Sequence, residues 1–131
     1  MAAYFGDIEK LTLDNNYFRE VLYTGKHAQL VVMSLLPGEE IGNEVHPDVD
    51  QFFRVEHGEL SFVLDNGKEK RLATAGEAVI VPAGTFHNVI NPSKKTRAKL
   101  YTIYSLPNHP PGTVHKTKAE ADAAEAHHHH T

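Results

Sequence analysis

Short apolar runs, each followed by turn-forming residues, recur along most of this 131-residue chain. The runs are rich in Val, Ile, Leu, Phe and Tyr, and pairs such as Pro37-Gly38 and Ala75-Gly76 separate them. β-branched and aromatic residues favour strands, while Gly, Pro and Asn favour the turns between strands. The predicted strands are Phe18–Tyr23, Gln29–Leu36, Gln51–Glu56, Glu59–Leu64, Glu69–Ala73, Ala78–Val81, Phe86–Ile90 and Ala98–Ser105. Many short strands at regular spacing predict an all-β sandwich or barrel.

Two local patterns add detail to this prediction. Asn66 and Gly67 stand between two predicted strands and indicate a tight hairpin turn, because both residues tolerate positive φ. Only the C-terminal segment has a helical pattern, with Thr117 and Glu120 at the spacing of a capping box before an alanine-rich run. The apolar face of this helix is thin, so we expect it to pack weakly.

The length fits one domain, which we expect to span residues 1–126. Within it we place a core over 29–105, a proline-rich arm over 106–116 and a short helix over 117–126. Residues 127–131 contain four consecutive histidines and come either from a purification tag or from a natural histidine-rich end. We exclude them from the fold prediction, although such a cluster can itself chelate metal.

Composition excludes several classes of function. The net charge of -4 argues against binding to nucleic acid, and the basic residues at positions 94–99 are typical of a solvated turn. The absence of cysteine excludes disulfides, thiolate metal ligands and cysteine nucleophiles. The sequence contains no long apolar run and no leader, so we expect no membrane association and a cytoplasmic location.

Two stretches with glycine, proline and histidine at fixed spacings carry most of the functional information. The first runs from Gly38 to Gly58 and contains Glu44, His46 and Gln51. The second runs from Gly76 to Asn91 and contains Pro82, Gly84 and His87.

Together these stretches resemble the paired motifs of the cupin superfamily, written G-x5-H-x-H-x4-E-x6-G and G-x5-P-x-G-x2-H-x3-N. Every spacing is kept, but Glu44 stands where the family has its first histidine and Gln51 stands where it has glutamate. The resemblance implies a double-stranded β-helix, or jelly-roll barrel, that holds one metal ion. Carried onto this chain, the family's ligand positions are Glu44, His46, Gln51 and His87.

The altered ligand set keeps one negative charge but exchanges an imidazole for a neutral amide oxygen. Two imidazoles, one carboxylate and one amide suit Mn, Fe, Zn or Ni, and we expect one such divalent ion per chain. The alternative is a barrel in which Glu44, His46, Gln51 and His87 form a hydrogen-bonded cluster without metal. Glu44 has a second candidate role, as a catalytic acid or base.

The surroundings of the site are less determined. Strand alternation places Phe53 and Val55 on the face of Gln51. Either Tyr101 or Tyr104 is a candidate catalytic hydroxyl, because the two lie on opposite faces of one strand. His109 and His115 lie in the proline-rich arm, where we expect them to be exposed unless the arm forms a lid.

The resemblance favours a metal-dependent enzyme of oxygenase, isomerase or lyase type that acts on a small oxygenated organic molecule. The alternative is a module that binds a small ligand or a metal without turnover. Similar chains commonly pair their sheets, and the first predicted strand would otherwise leave an unpaired edge, so we also expect a homodimer.

Overall fold

The computed structural model describes residues 2–129, with side-chain surroundings up to residue 126. Its helices and strands are α1 (Ile8–Asp14), β1 (Arg19–Thr24), β2 (Gln29–Leu35), β3 (Asp50–His57), β4 (Glu59–Leu64), β5 (Glu69–Thr74), β6 (Ala78–Val81), β7 (His87–Ile90), β8 (Ala98–Ser105), β9 (Val114–His115) and α2 (Lys118–His129). All the strands predicted from the sequence are present, and no bound differs by more than one residue.

The strands form two antiparallel sheets that face each other. The larger sheet has the order β6-β3-β8-β2-β1-β9, and the smaller has the order β5-β4-β7. The rings of Phe53 and Phe62, one from each sheet, meet edge to face with centroids 5.2 Å apart. The predicted all-β jelly-roll barrel with a C-terminal helix is therefore the observed fold.

Alternation along β3 shows how the sequence fills the core. Gln51, Phe53 and Val55 are at most 3% exposed, whereas the residues between them are partly exposed. The predicted phase of this strand is thus confirmed. Burying a phenylalanine side chain contributes about 1.5–3 kcal/mol, so the apolar members of this row hold the sheets together while Gln51 introduces a polar group among them.

The two sequence motifs lie side by side. Residues 38–44 run antiparallel to β7 as an irregular extra strand, with isolated bridges at Glu40–Ile90 and Glu44–His87. Gly58, which ends the first motif, has a φ of +78°, and a Cβ there would lie 2.9 Å from the carbonyl oxygen of Arg97. Glycine is required at this position both by the backbone conformation and by the close approach of the neighbouring chain.

The helix α1 was missed by the sequence analysis, which placed helix only at the C-terminus. Asp7 caps it by accepting a hydrogen bond from the Lys10 amide at 3.2 Å, and Lys10 pairs with Asp14. Thr12 is its only buried residue. With so little apolar surface to bury, the helix leaves almost no hydrophobic periodicity in the sequence.

The predicted hairpin between β4 and β5 is present, but its loop is longer than a two-residue turn. Leu64 pairs with Glu69, so residues 65–68 form the loop. Asp65, Asn66 and Gly67 all have positive φ. The asparagine–glycine pair therefore predicted the position of the turn correctly. The strand register adds Asp65 before this pair and Lys68 after it to the loop.

The C-terminal region is held by the contacts expected for a capped helix. The Glu120 amide donates to the Thr117 hydroxyl at 3.1 Å, and the Glu120 carboxylate accepts from the Lys116 amide at 2.7 Å. Ala121 is the one buried residue among positions 118–126, which agrees with a thin apolar face. The helix continues through His129, beyond the predicted end, and residues 130 and 131 lie outside the described part.

The edge-strand argument for a dimer was wrong, because β1 lies between β2 and β9. Arg19 and Glu20 pair with His115 and Val114, so the end of the proline-rich arm covers this edge. Within residues 2–129, neither helix is long and apolar enough to cross a membrane.

Candidate metal centre

The backbone fixes the relative positions of Glu44 and His87. Each donates its amide hydrogen to the carbonyl oxygen of the other, at 2.8 Å in both directions. The amide of Gly84 donates to the His46 carbonyl oxygen at 2.9 Å, which ties His46 to the turn that precedes β7. Gly84 of the second motif is thus hydrogen-bonded to a histidine of the first motif.

Three of the predicted ligands converge at one point inside the barrel. The candidate donor atoms of Glu44, His46 and His87 all lie within 4.8 Å of one another. The His46 Nε2 atom is 3.9 Å from a carboxylate oxygen of Glu44, and the rings of His46 and His87 are 5.3 Å apart. Nitrogen and oxygen donors at this separation can close on a single ion with bonds of about 2.0–2.2 Å after small side-chain rotations.

Gln51, the fourth predicted ligand, reaches the same point from the opposite sheet. Its Oε1 atom lies 3.1 Å from His87 Nε2. Its amide nitrogen donates to the buried hydroxyl of Thr102 at 3.0 Å, which turns the oxygen towards the histidine. The structure therefore brings all four predicted positions together and orients the carbonyl oxygen of Gln51 inwards.

Burial sets the protonation of these groups. It lowers the pKa of both His46 and His87, so each imidazole is neutral at pH 7 and keeps a lone pair. Burial raises the pKa of Glu44 to about 7, against the opposing effect of the Arg19 guanidinium. A cation placed among them would favour the carboxylate form of Glu44.

The donors and acceptors of the cluster cannot all be paired with one another, whereas a cation could accept the unpaired lone pairs. His87 faces two acceptors, because Nδ1 is 3.0 Å from the Thr85 carbonyl oxygen and Nε2 is near Gln51 Oε1. A neutral imidazole has one N–H, so it can satisfy only one of the two. His46 Nε2 is buried and has no hydrogen-bond partner within the described residues. Both features fit side chains whose lone pairs are directed at a cation.

The two candidate tyrosines lie on opposite faces of β8. Tyr104 is 2% exposed, and its ring centroid is 5.8 Å from that of His46. Tyr101 lies on the outer face against Phe52, with centroids 6.0 Å apart. Of the two, Tyr104 is therefore the one beside the site. Burial raises the pKa of its hydroxyl, which stays protonated at neutral pH.

The proline-rich arm is docked onto the barrel, contrary to the expectation that its histidines are exposed. His109 is partly buried, and its Nε2 atom is 3.2 Å from the Tyr104 hydroxyl. Burial and the charge of Arg19 lower the pKa of His109 to about 3, so it is neutral. The side chain of Gln29, which is fully buried, accepts from the amides of Asn108 and His109 and donates to the His109 carbonyl oxygen.

Arg19 is a residue of this region that the sequence analysis did not assign. It lies on β1 with 7% of its surface exposed and points to the same side as the buried Val21. Strand phase is the signal that was available, because residues two apart share a face. Phase relates Arg19 to Val21 but does not show which face of the strand is buried, and a buried arginine is unusual.

Comparisons with known proteins agree with this architecture. The sequence model of the family described as "Cupin domain" matches residues 31–104. A crystal structure of BH2720 from Bacillus halodurans is 44% identical, with a TM-score of 0.89, and the match covers 93% of this chain and 95% of that one.

Two curated relatives match nearly the whole sequence. The protein YrkC of Bacillus subtilis is 51% identical over 123 residues, which are 91% of this chain and 66% of YrkC. The protein L612 of Acanthamoeba polyphaga mimivirus is 45% identical over 113 residues, which are 86% of this chain and 71% of L612. The chain thus spans just under two thirds of the length of YrkC.

Proposed function

The chain belongs to the cupin family, and on that premise we propose that it is a metal-dependent enzyme acting on a small oxygenated organic molecule. Glu44, His46 and His87 would hold one divalent ion, with the carbonyl oxygen of Gln51 as the fourth donor. The reaction would be of oxygenase, isomerase or lyase type. Donors of this kind suit Mn, Fe, Zn or Ni.

The observation that carries the proposal is the convergence of Glu44, His46 and His87 around an unpartnered histidine nitrogen. A buried polar atom without a hydrogen bond costs about 1–3 kcal/mol. Proteins leave few buried polar atoms unpaired, so we expect His46 Nε2 to have a binding partner. A divalent ion would supply it for His46 and would at the same time satisfy the facing acceptors of His87 and Gln51.

The protein's own groups support chemistry at this point. A bound divalent ion supplies a Lewis acid that polarises a carbonyl or enolate oxygen. Glu44 is the group best able to exchange a proton near neutral pH if it does not remain a ligand, because burial brings its pKa to about 7. Tyr104 offers a hydroxyl next to His46, and His109 orients that hydroxyl through their 3.2 Å contact.

A second candidate is a module that binds metal or a small ligand without turnover. The low exposure of the His46 side chain, 10%, favours it, because a closed site suits storage or structural roles. A catalytic site needs at least one exchangeable coordination position. Relaxation of water protons by the Mn-loaded protein distinguishes the two, since only an open site exchanges water with the ion.

Metal analysis tests the proposal directly. We expect one divalent ion per chain by mass spectrometry of the elements, in a full-length variant with His127–His130 replaced by alanine. His46→Ala and His87→Ala should each lose this ion and remain folded, because the apolar core residues carry the barrel. His27→Ala is the matched control, since His27 lies exposed in a turn. Retention of one tightly bound ion in both site variants would refute the assignment.

A further inference from the structure

Arg19 places a positive charge inside the barrel next to the metal-binding cluster. Its side chain projects from β1 on the inner face, at a position that pairs with the buried Met33 of β2. Its charge acts on the pKa values of Glu44, Tyr104 and His109, so it lies within electrostatic range of these three groups. The guanidinium therefore lies beside the site proposed above and is withdrawn from the outer surface.

The hydrogen-bonding capacity of this guanidinium is largely unused. One terminal nitrogen, Nη1, lies 3.3 Å from Nδ1 of His115, and the group stacks 5.3 Å above the ring of Phe18. The Nε atom is buried and has no hydrogen-bond partner among the described residues. Over the same residues, no carboxylate lies within ion-pair distance of Arg19, although four ion pairs between a lysine or arginine and a carboxylate form elsewhere.

A buried arginine normally has a carboxylate or phosphate partner, because its planar fork of donors matches two oxygens at once. The charge of Arg19 acts on Glu44, but that carboxylate forms no ion pair with Arg19 and lies 3.9 Å from His46 Nε2. The donors of Arg19 are thus left for a group that comes from outside the chain.

We propose that Arg19 binds the carboxylate of the molecule that reaches the Glu44–His46–His87 cluster, so that the substrate or ligand is a small oxygenated carboxylic acid. This inference rests on the function proposed above for the cluster itself. The ligand would then present one oxygen to the metal-binding side chains and a carboxylate to Arg19 on β1.

The charge balance favours a carboxylate over a phosphate. The histidines nearest to Arg19 are His109 and His115, and burial lowers the pKa of both, so they add no positive charge at neutral pH. Lys118 also acts on the pKa of Glu44 and lies 5.8 Å from the Phe18 ring, but its charge is paired with Asp122. Arg97 and Lys99 are bonded to Asn16 near α1. A single guanidinium offsets one negative charge, whereas a phosphate ester carries close to two.

Binding of paired acids and amides tests the proposal without knowledge of the natural ligand. The probes are glycolate, 3-hydroxypropanoate and 4-hydroxybutanoate, each compared with its uncharged amide. Titrations use the full-length protein, both metal-loaded and metal-free, and follow the Nε–H resonance of Arg19 by nitrogen–proton NMR. That resonance is identified by its loss in Arg19→Lys. We expect at least one acid, and none of the amides, to shift the resonance and to bind at least about tenfold more tightly than its amide.

Variants distinguish the role of Arg19 in ligand binding from that of the metal-binding cluster. Arg19→Gln should remove the preference for acid over amide while the metal content stays at the wild-type value, and Arg19→Lys should retain part of the preference. Arg71→Gln is the matched control, because Arg71 is 79% exposed on β5. It should bind every probe as the wild type does.

The outcomes that would overturn the proposal are distinct from failure of the proposed function. Equal binding of acids and amides, or wild-type acid affinity in Arg19→Gln, would overturn it. Tighter binding of inorganic phosphate than of any acid would do the same. If the wild type held no metal, the proposed function would fail, and the comparison of acids with amides on the metal-free protein would still decide the role of Arg19.

Discussion

Gln51 makes this site chemically different from a set of imidazoles and carboxylates. Its amide oxygen is a weak, neutral donor, held towards His87 by the hydrogen bond from its nitrogen to Thr102. We expect Gln51→Glu to bind divalent metal at least about tenfold more tightly, because a second carboxylate would face the ion.

Calorimetric titration of the tail-substituted protein measures this change. Asn66→Asp is the matched control, since it adds the same charge at an exposed position in the loop between β4 and β5. Equal affinities for Gln51→Glu and the wild type would mean that Gln51 is not a ligand.

Glu44 is the second position where the ligand set departs from the family pattern. If it is a ligand, Glu44→His should strengthen Zn or Ni binding, because imidazole is the preferred donor for these ions. The charge of the site would then rise by one unit. If Glu44 is instead an acid or base outside the ligand set, the change should leave metal affinity unaltered and remove activity. Metal titration of both proteins, with the terminal histidines replaced, separates the two roles.

Spacing was sufficient to predict which polar residues meet, but not which neighbours complete the site. Glu44, His46, Gln51 and His87 were selected by position alone and lie together. The choice between Tyr101 and Tyr104 depended on the pairing of Gln51 with Tyr104, which is a cross-strand register that no local pattern contains. Arg19 was missed because a charged strand residue normally faces solvent, and only the tertiary structure shows that this one does not.

At the level of elements, the arm over residues 106–116 depends on one buried side chain. Gln29 exchanges three hydrogen bonds with the backbone of Asn108 and His109, at 2.7–3.0 Å. We expect Gln29→Ala to lower the free energy of unfolding by about 2–4 kcal/mol, because it removes these bonds and leaves a void. Urea denaturation measures the loss.

The same variant should release the arm before the barrel unfolds. Limited proteolysis is expected to cut within residues 106–113 faster than in the wild type. Lys26→Ala, in the exposed turn before β2, is the control and should change neither stability nor cleavage. An uncut arm in Gln29→Ala would show that other contacts hold it.

Helix α1 illustrates why short elements escape sequence analysis. Its capping residue Asp7 and its Lys10–Asp14 pair are visible in the sequence, but each contributes only a few tenths of a kcal/mol to about 1 kcal/mol. Leu11 and Leu13 are each 37% exposed. A tertiary contact attaches the helix to the large sheet, because Lys99 of β8 donates to the carbonyl oxygen of Leu13.

For the whole molecule, the outer face of the large sheet supports the expectation of a homodimer. An apolar stripe crosses four neighbouring strands there, since Ile80, Phe52, Ile103 and Leu30 are successive cross-strand partners. Ile80 is 67% exposed. A contiguous apolar row on a sheet surface is typical of an interface, and we expect a second copy of the chain to cover it.

Light scattering tests this expectation. The wild type should have about twice the chain mass of 14.6 kDa at micromolar concentration, and Ile80→Lys should shift it towards the monomer. Leu72→Lys, which adds a lysine at an exposed leucine of the small sheet, is the control. A wild-type mass of 14.6 kDa would contradict the dimer.

The candidate metal centre lies across the seam between the sheets. Glu44 and His87 belong to the side of β7, whereas Gln51 belongs to β3 in the large sheet. An ion bound by residues of both sides would hold the two sheets together. Metal binding would then reduce local opening of the strands that carry the ligands. Amide hydrogens of β3 and β7 should therefore exchange with deuterium more slowly when metal is bound, while those of β5 should not change. By linkage, metal at a thousand times its dissociation constant would add about 4 kcal/mol to the free energy of unfolding.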